Sequence, residues 1–443
     1  MSKPIVAIVG RPNVGKSQLF NRIVGKRVSI VEDTPGVTRD RIMSEAQWLD
    51  KAFLLIDTGG IEPDSDDEIT AMMRTQAEIA IETADVIIFL TDVRTGLLPD
   101  DEEVAKILMK SKKPIVLAVN KCDSPGEPPM EYYEFFNLGM GEPVAISAIQ
   151  GMGTGDLLDE VIKGFPSDDI SEEEEDVIKV AVVGKPNAGK SSLVNCILGE
   201  ERMIVSNIPG TTRDAIDSYV EKDGRKYLFI DTAGIRRKSR VNEKVEKYSV
   251  LRSYTAVERA DVCLILIDGT EGPTEQDTKI AGYAHNEGKA SIFVINKWDI
   301  VEKNTHTMDE MKKEVMEEFP YMMYAPSMFI SAKTGQRVEG IFEMIDRVYE
   351  NSKRRITTGM LNDLIADATA RVQPPTDKGR RLKILYGVQS DITPPQFVIF
   401  VNDVRLMHFS YERYLENRIR SAFDYTGTPI KFYIRERNEK KKL

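Results

Sequence analysis

The sequence predicts an α/β chain: two tandem domains on mainly parallel, doubly wound sheets, then a small α+β domain. Three observations predict it. Short apolar runs alternate with helical stretches, and the alternation occurs twice in succession. A set of short motifs recurs once in the same order. The composition turns basic from Lys353 onward. Apolar runs of strand length, separated by helices, suit parallel sheets covered on both faces. A length of 443 residues allows two to four domains, each able to bury its own core.

In the first copy, strands are predicted at Ile5–Val9, Phe53–Asp57, Val86–Thr91, Ile115–Asn120 and Val144–Ile146. In the second they are predicted at Val177–Val183, Tyr227–Asp231, Val262–Asp268, Ser291–Asn296 and Met328–Ser331. Helical patterns at Gln18–Val24 and Ser192–Leu198 follow the first strand of each copy. In the second copy, Ile216–Lys222, the turn Asp223-Gly224 and Lys226–Asp231 read as a hairpin, so one sheet edge is antiparallel. Between the copies, Pro166-Ser167-Asp168-Asp169-Ile170-Ser171-Glu172-Glu173-Glu174-Glu175-Asp176 is acidic and self-repelling, the composition of an extended linker. After Lys353 the order is α-β-β-α-β. Leu361, Leu364, Ile365 and Ala368 share a helical face, and strands are predicted at Leu382–Val388 and Gln396–Asn402. Ser410 is placed to cap a helix lined by Leu415, Ile419 and Phe423, and Pro429–Ile434 forms the last strand. The expected domains are 1–166, a linker 167–176, 177–352 and a basic module 353–443.

No apolar run approaches the roughly 18 residues of a membrane span; the longest, such as Val86–Leu90 and Val262–Ile267, have strand length. The chain runs from Met1 straight into a strand, without the pattern of a signal peptide, so a cytoplasmic protein is expected. Cys122, Cys196 and Cys263 show no paired spacing for a disulfide framework or a zinc site. The net charge of −11 conceals an asymmetry. From Lys353 to the end there are 18 Lys and Arg against 10 Asp and Glu, a net of +8, which leaves −19 on the rest. A basic end on an acidic body points to a polyanion such as nucleic acid, or to docking of the module on the body itself.

The repeat is explicit. Gly10-Arg11-Pro12-Asn13-Val14-Gly15-Lys16-Ser17 recurs 174 residues later as Gly184-Lys185-Pro186-Asn187-Ala188-Gly189-Lys190-Ser191. At the same offset Pro35-Gly36-Val37-Thr38-Arg39-Asp40 recurs as Pro209-Gly210-Thr211-Thr212-Arg213-Asp214. Asp57-Thr58-Gly59-Gly60 likewise recurs as Asp231-Thr232-Ala233-Gly234. Asn120-Lys121-Cys122-Asp123 recurs as Asn296-Lys297-Trp298-Asp299, and Ile146-Ser147-Ala148 as Ile330-Ser331-Ala332. The offset is constant early and drifts late, as insertions in loops produce.

The first motif is G-x-x-x-x-G-K-[ST] between a strand and a helix, a P-loop that wraps backbone N–H groups around phosphates. Lys16 and Lys190 are expected to reach the β- and γ-phosphates, and Ser17 and Ser191 to ligate Mg²⁺. Asp57 and Asp231 are placed to hold the same Mg²⁺. Thr38 and Thr212 can join its shell when the third phosphate is present, which makes a switch. Asn-Lys-x-Asp identifies the base. A carboxylate accepts from guanine N1–H and the 2-amino group, both of which adenine lacks. Asp123 and Asp299 take that role, with Lys121 and Lys297 along the base plane and Asn120 and Asn296 tying loops together. Ser147-Ala148 and Ser331-Ala332 would present a backbone N–H to the guanine oxygen. The chain thus reads as two GTP-hydrolysing P-loop G domains in series.

These motifs give the chain a close resemblance to the Der (EngA) family of ribosome-assembly GTPases, over essentially its whole length. Pro-Gly-Thr-Thr-Arg-Asp, and Asp-Thr-Ala-Gly followed by Ile235-Arg236-Arg237-Lys238-Ser239-Arg240, carry it. The resemblance implies a KH-like fold for the basic module and a role on the large ribosomal subunit and its rRNA. Val37, Gly59 and Gln18 depart from the pattern and leave the two copies non-equivalent. Many GTPases orient water with a Gln just after Asp-x-x-Gly; Ile61 and Ile235 stand there and cannot do so. In related GTPases the Asn at the place of Asn13 and Asn187 ligates K⁺, which implies potassium as an activator. The segment after the first Asp-x-x-Gly, Glu62-Pro63-Asp64-Ser65-Asp66-Asp67-Glu68, is acidic, whereas its counterpart is basic. The module lacks the G-x-x-G loop with which KH domains grip RNA. Phosphate contacts from Arg380, Arg381, Arg405, Arg413, Arg418 and Arg420 are the remaining route. Tyr386, Phe397, Phe400 and Tyr414 are expected in the core. The expected function is a ribosome assembly factor, monomeric and without membrane contact, that uses two nucleotide sites as a switch. The alternative is a GTP-dependent regulator of a protein partner, without RNA contact.

Overall fold

The computed structural model describes residues 3–25, 43–58, 77–78, 80–81, 83–124, 127–166, 177–199, 217–231, 246–377 and 379–436. The expected linker, both Thr-containing loops and the two oppositely charged segments lie outside the described residues.

The first domain is built on strands β1 (Ile5–Val9), β2 (Met43–Trp48), β3 (Lys51–Asp57), β4 (Val86–Asp92), β5 (Ile115–Asn120) and β6 (Val144–Ala145). Their order in the sheet is β2-β3-β1-β4-β5-β6, parallel except for β2. Every residue of β1 and β4 is buried, as continuous runs of Ile, Val, Leu and Phe require when helices cover both faces. Burying each such side chain contributes roughly 1.5–3 kcal/mol. The helix Lys16–Val24 packs Leu19, Phe20 and Ile23 onto one face with Leu157, Leu158 and Val161 of the helix Thr154–Lys163. Val104, Ala105 and Leu108 of the helix Pro99–Lys110 cover the other.

β2 was not expected from the sequence. Met43-Ser44-Glu45-Ala46-Gln47-Trp48 buries only Ala46, because it is an edge strand with one partner, and it turns into β3 through Leu49 at φ +52°. The second copy announces the same hairpin with Asp223-Gly224; the first has no such turn pair.

The second sheet repeats the plan with β7 (Val177–Val183), β8 (Ser218–Lys222), β9 (Arg225–Ile230), β10 (Val262–Asp268), β11 (Ala290–Asn296) and β12 (Ser327–Phe329), ordered β8-β9-β7-β10-β11-β12. The β8–β9 hairpin is antiparallel, as expected. One detail differs from the expectation. β9 ends at Ile230, and Asp231 has already turned into the left-handed region at φ +57°.

The C-terminal module follows the expected α-β-β-α-β order with helix Thr358–Arg371, β15 (Ile384–Asp391), β16 (Gln396–Val401), helix Phe409–Ala422 and β17 (Lys431–Glu436), and adds an unexpected two-residue pair, β13 (Thr376–Asp377) and β14 (Arg380–Arg381), after the first helix. β15 and β16 are antiparallel and β16 and β17 parallel. Leu361, Ile365, Ala368, Phe397, Ile399, Val401, Leu415 and Ile419 form its core. The expected cap is corrected: Ser410 lies inside the helix, and the His408 ring accepts from the Ser410 backbone N–H.

The second domain and the C-terminal module pack together as one compact unit. The Ser291 N–H donates to Gly427 O at 2.7 Å, and the Gly427 N–H to Tyr324 O at 2.8 Å. Gly427 has φ +77°, and a Cβ there would lie 2.4 Å from Val348 Cγ2, so only glycine fits. Arg347 donates from Nε and Nη2 to Asp424 Oδ2 at 3.0 and 2.9 Å, and Lys431 Nζ donates to Asn286 O at 3.1 Å. Burial opposes ionisation of Asp424, but hydrogen bonds from Thr426, Arg347 and Asn351 outweigh it and hold the carboxyl far below its ordinary range. His285 lies against Tyr324 in this contact (3.0 Å), and burial, aided by the charges of Lys431 and Arg420, lowers its pKa to about 4.

Candidate nucleotide sites

Both P-loops run from the end of the first strand of a sheet into a helix, Lys16–Val24 in one copy and Lys190–Gly199 in the other. They superpose in backbone character: Asn13 and Asn187 both have φ +65°, Gly15 and Gly189 both φ +101°. A Cβ on Gly15 would meet Asn120 Nδ2 at 2.4 Å, and one on Gly189 would meet Asn296 Nδ2 at 2.1 Å. The second glycine of the motif is therefore required by the Asn of Asn-Lys-x-Asp, far along the chain. Lys16 Nζ donates to Gly10 O and Arg11 O at 2.6 and 2.8 Å, and Lys190 Nζ to Gly184 O and Lys185 O at 2.6 Å each. Each ammonium is thus held across its own loop. Pro12 and Pro186 are half-buried beside the exposed Asn13 and Asn187, and Val14 and Ala188 are buried beneath them.

At the other end of each site, Asn120 Nδ2 donates to Val14 O at 2.7 Å and Asn120 Oδ1 accepts from the Ala148 N–H at 2.9 Å. Asn296 does the same with Ala188 O and the Ala332 N–H, at 2.9 Å each. Each Asn therefore joins the P-loop to the Ser-Ala loop. The Ala148 and Ala332 N–H groups are the ones bonded to Asn120 and Asn296. Ser147 Oγ donates to Asp123 Oδ1 at 2.6 Å. Asp299 receives the corresponding bond from Ser331, which, with the fields of Lys333 and Lys303, keeps its carboxyl below the ordinary value.

Where the phosphate end meets the third strand, Ser17 Oγ donates to Asp57 Oδ2 at 2.7 Å. A hydroxyl and a carboxylate oxygen thus converge beside the P-loop lysine, the hard oxygen set that suits Mg²⁺. Thr58 is buried and donates to Ile8 O at 2.6 Å. In the second copy the Asp231 N–H donates to Asp217 Oδ1 at 2.8 Å. Thr38, Gly59, Gly60, Ile61, Thr212, Thr232, Ala233, Gly234 and Ile235 lie outside the described residues.

Four acidic residues at these sites escaped the sequence reading. Asp92 and Asp268, at the ends of β4 and β10, accept from Lys121 Nζ and Lys297 Nζ at 2.5 Å each and aim those lysines. Asp101 is fully buried; it accepts from Arg11 Nε at 2.8 Å, while Arg11 Nη2 reaches Thr95 Oγ1 at 2.8 Å. Its counterpart Asp277 accepts from the Lys185 backbone N–H at 3.1 Å, and Lys185 Nζ turns to Glu271 Oε2 at 2.7 Å. Both carboxylates also close the first turn of the following helix, through Leu98 N–H in one copy and Thr274 in the other. The second residue of each P-loop is thereby pinned to a helix cap. The signal was present: these four positions recur at an offset of 176, the same as Asn-Lys-x-Asp.

The family model described as "50S ribosome-binding GTPase" matches residues 5–121 and again 179–297. The model "KH-domain-like of EngA bacterial GTPase enzymes, C-terminal" matches 355–435. Over 439 residues, 99% of this chain and 100% of each relative, the chain is 64% identical to the GTPase Der of Acetivibrio thermocellus and 65% identical to that of Ruminiclostridium cellulolyticum.

The chain belongs to the Der (EngA) family of GTPases.

It binds GTP and GDP and hydrolyses GTP. Among solved structures, a crystal structure of Era in complex with MgGDPNP and nucleotides 1506–1542 of 16S ribosomal RNA matches 60% of this chain and 94% of that one. It does so at 20% identity and a TM-score of 0.29. Among the described residues of this Der-family chain, no helix is long and apolar enough to cross a membrane.

Several of the KH-like module's arginines are engaged within the protein. Arg380 and Arg405 share Asp403, at 3.4 and 2.9 Å, and Arg418 pairs with Asp367 at 2.8 Å. Arg413 Nη2 lies 3.7 Å from Met323 Sδ. Arg420 is mostly buried. It donates to Glu416, Tyr425 O and Thr428 O and lies over the Tyr324 ring, so its position suits docking on the second G domain rather than the expected phosphate contact. Arg381 is exposed. Of the aromatics expected in the core, Phe397 is there. Tyr414 donates to Ala368 O at 3.0 Å, and Tyr386 stacks on Phe400 at the edge of solvent.

Proposed function

We propose that this GTPase is an assembly factor for the large ribosomal subunit, with two guanine sites that act as separate inputs to one switch. The observation that carries the reading is the pairing of two G domains, each matching a ribosome-binding GTPase model, with a KH-like module of net positive charge. The proposed domains are 1–166, the linker 167–176, 177–352 and 353–443, in a cytoplasmic monomer.

In each site the P-loop cradles the phosphates, Lys16 or Lys190 reaches the terminal two, and Asp123 or Asp299 selects guanine. Ser17, Thr38 and Asp57, and their counterparts Ser191, Thr212 and Asp231, would hold Mg²⁺, which neutralises charge on the phosphate oxygens. The Ser17–Asp57 contact supports that donor set. Ile61 and Ile235 leave water orientation to other groups. Asn13 and Asn187, exposed at the loop crests with left-handed backbones, are placed to hold K⁺ beside the phosphates. Turnover that is the same in KCl and NaCl would sink the potassium reading.

A second reading, regulation of a protein partner without RNA contact, draws on the arginine pairs in the KH-like module. One experiment separates the two. Lysate is sedimented on a sucrose gradient with GDP or a non-hydrolysable GTP analogue. The assembly-factor reading expects co-migration with large-subunit particles in one nucleotide state; absence from those fractions in every state rejects it.

A further inference from the structure

The two carboxylates that select guanine keep different company. In the first domain Arg94, in the turn after β4, donates from Nη2 to Asp123 Oδ2 at 2.6 Å, while Ser147 holds Oδ1. In the second domain the position aligned with Arg94 is Thr270. Its hydroxyl folds back onto Asp268 Oδ1 at 2.7 Å, and among the described residues no guanidinium bonds Asp299. The turns are otherwise alike: Asp92 Oδ1 accepts from the Arg94 N–H and Asp268 Oδ1 from the Thr270 N–H, at 3.0 Å each.

A guanidinium presents paired, coplanar N–H donors to a carboxylate. The N1–H and 2-amino edge of guanine presents the same pattern. Arg94 engages Asp123 through one of these N–H groups, at Oδ2, an oxygen that the base edge would take. We infer that Arg94 competes with guanine for Asp123, so that the first site takes guanine nucleotides more weakly than it otherwise would, a restraint absent from the second site. The side chain of Arg94 is 65% exposed and that of Asp123 24%. A pair at the rim, open to water, is weak and screened by salt. The restraint is therefore a graded one: the guanidinium swings out as the base enters.

The inference rests on Asp123 as the guanine acceptor. In the full-length chain, Asp299→Asn removes guanine binding at the second site, and a fluorescent GDP analogue then reports the first. Adding Arg94→Thr, the residue the second copy carries in the same turn, is expected to tighten binding about two- to five-fold at low salt, the range of an exposed ion pair. That gain is expected to shrink as salt rises from about 50 to about 500 mM, as the Debye length shortens. In the reciprocal chain, with Asp123→Asn, Thr270→Arg should loosen GDP at the second site by a similar factor. Arg94→Thr binding that is unchanged or weaker overturns the competition. GDP binding that survives Asp123→Asn in the Asp299→Asn chain overturns both the acceptor reading and the competition.

Discussion

Replacing Asp101 with alanine tests how the first P-loop is held. Asp101 is 0% exposed and Arg11 9% exposed, and the two meet at 2.8 Å. Burial raises the Asp101 carboxyl above its ordinary value although Arg11 pulls it down, so the intact pair adds little net stability. Breaking it is another matter. Asp101→Ala leaves a guanidinium stranded in the interior, which costs about 3–5 kcal/mol. Losing the bond from the Leu98 N–H removes a helix cap as well, worth about 1 kcal/mol. The sum is a large share of a typical domain stability of about 5–15 kcal/mol. At about 2–4 °C per kcal/mol for a domain this size, the first domain's thermal transition should fall by roughly 10–20 °C. Differential scanning calorimetry of the full chain would resolve it, since the second unit has its own core. Changing both partners to apolar residues, Arg11→Met with Asp101→Leu, should cost less than Asp101→Ala alone. A shift of under about 3 °C for Asp101→Ala, or a double variant worse than the single, would refute the reasoning.

Gly15→Ala forces a Cβ to 2.4 Å from Asn120 Nδ2 at φ +101°; strain of about 1–3 kcal/mol should weaken GDP at the first site roughly 5- to 150-fold, measured by titration calorimetry with the second site as internal control. His285 has a folded pKa of about 4, below the unfolded value of about 6.5. Between those values the unfolded chain binds more protons, so stability should fall as pH drops from 6.5 to 4, by up to about 3 kcal/mol. His285→Gln should flatten the melting temperature of the second unit across that window. Gly427→Ala places a Cβ 2.4 Å from Val348; limited proteolysis should then release the KH-like module faster than from the parent chain, and equal rates would show that the contact tolerates the methyl group.

Much of this was legible because the motifs sit on buried parallel strands, where apolar runs are unmistakable. β1, β5, β7 and β10 have the bounds that their Ile, Val and Leu content predicts. β2 was illegible because an edge strand need bury only one side chain. The helix at Phe409 was read two residues late because a His cap has no strong sequence signature. The acidic clamps Asp92, Asp101, Asp268 and Asp277 were passed over for a different reason. An Asp at a strand end or in a first helical turn is ordinary as a capping residue, and only the fold shows that each one also reaches a P-loop or the lysine of Asn-Lys-x-Asp. Arg94 was invisible for the same cause: its partner lies 29 residues away and meets it only across adjacent strand ends.

The seam at Gly427 has a mechanical meaning. The KH-like module grips β11 at Ser291, near one end of a seven-residue strand, and Asn296 stands at the other, about 17 Å away. Asn296 is the side chain that links the P-loop to the Ser-Ala loop. A pull on the module by whatever it holds is delivered along the axis of β11, flanked on both sides by hydrogen-bonded neighbours, to the residue that braces both walls of the second site. The strand is a stiff tie rod between the module's seam and that residue.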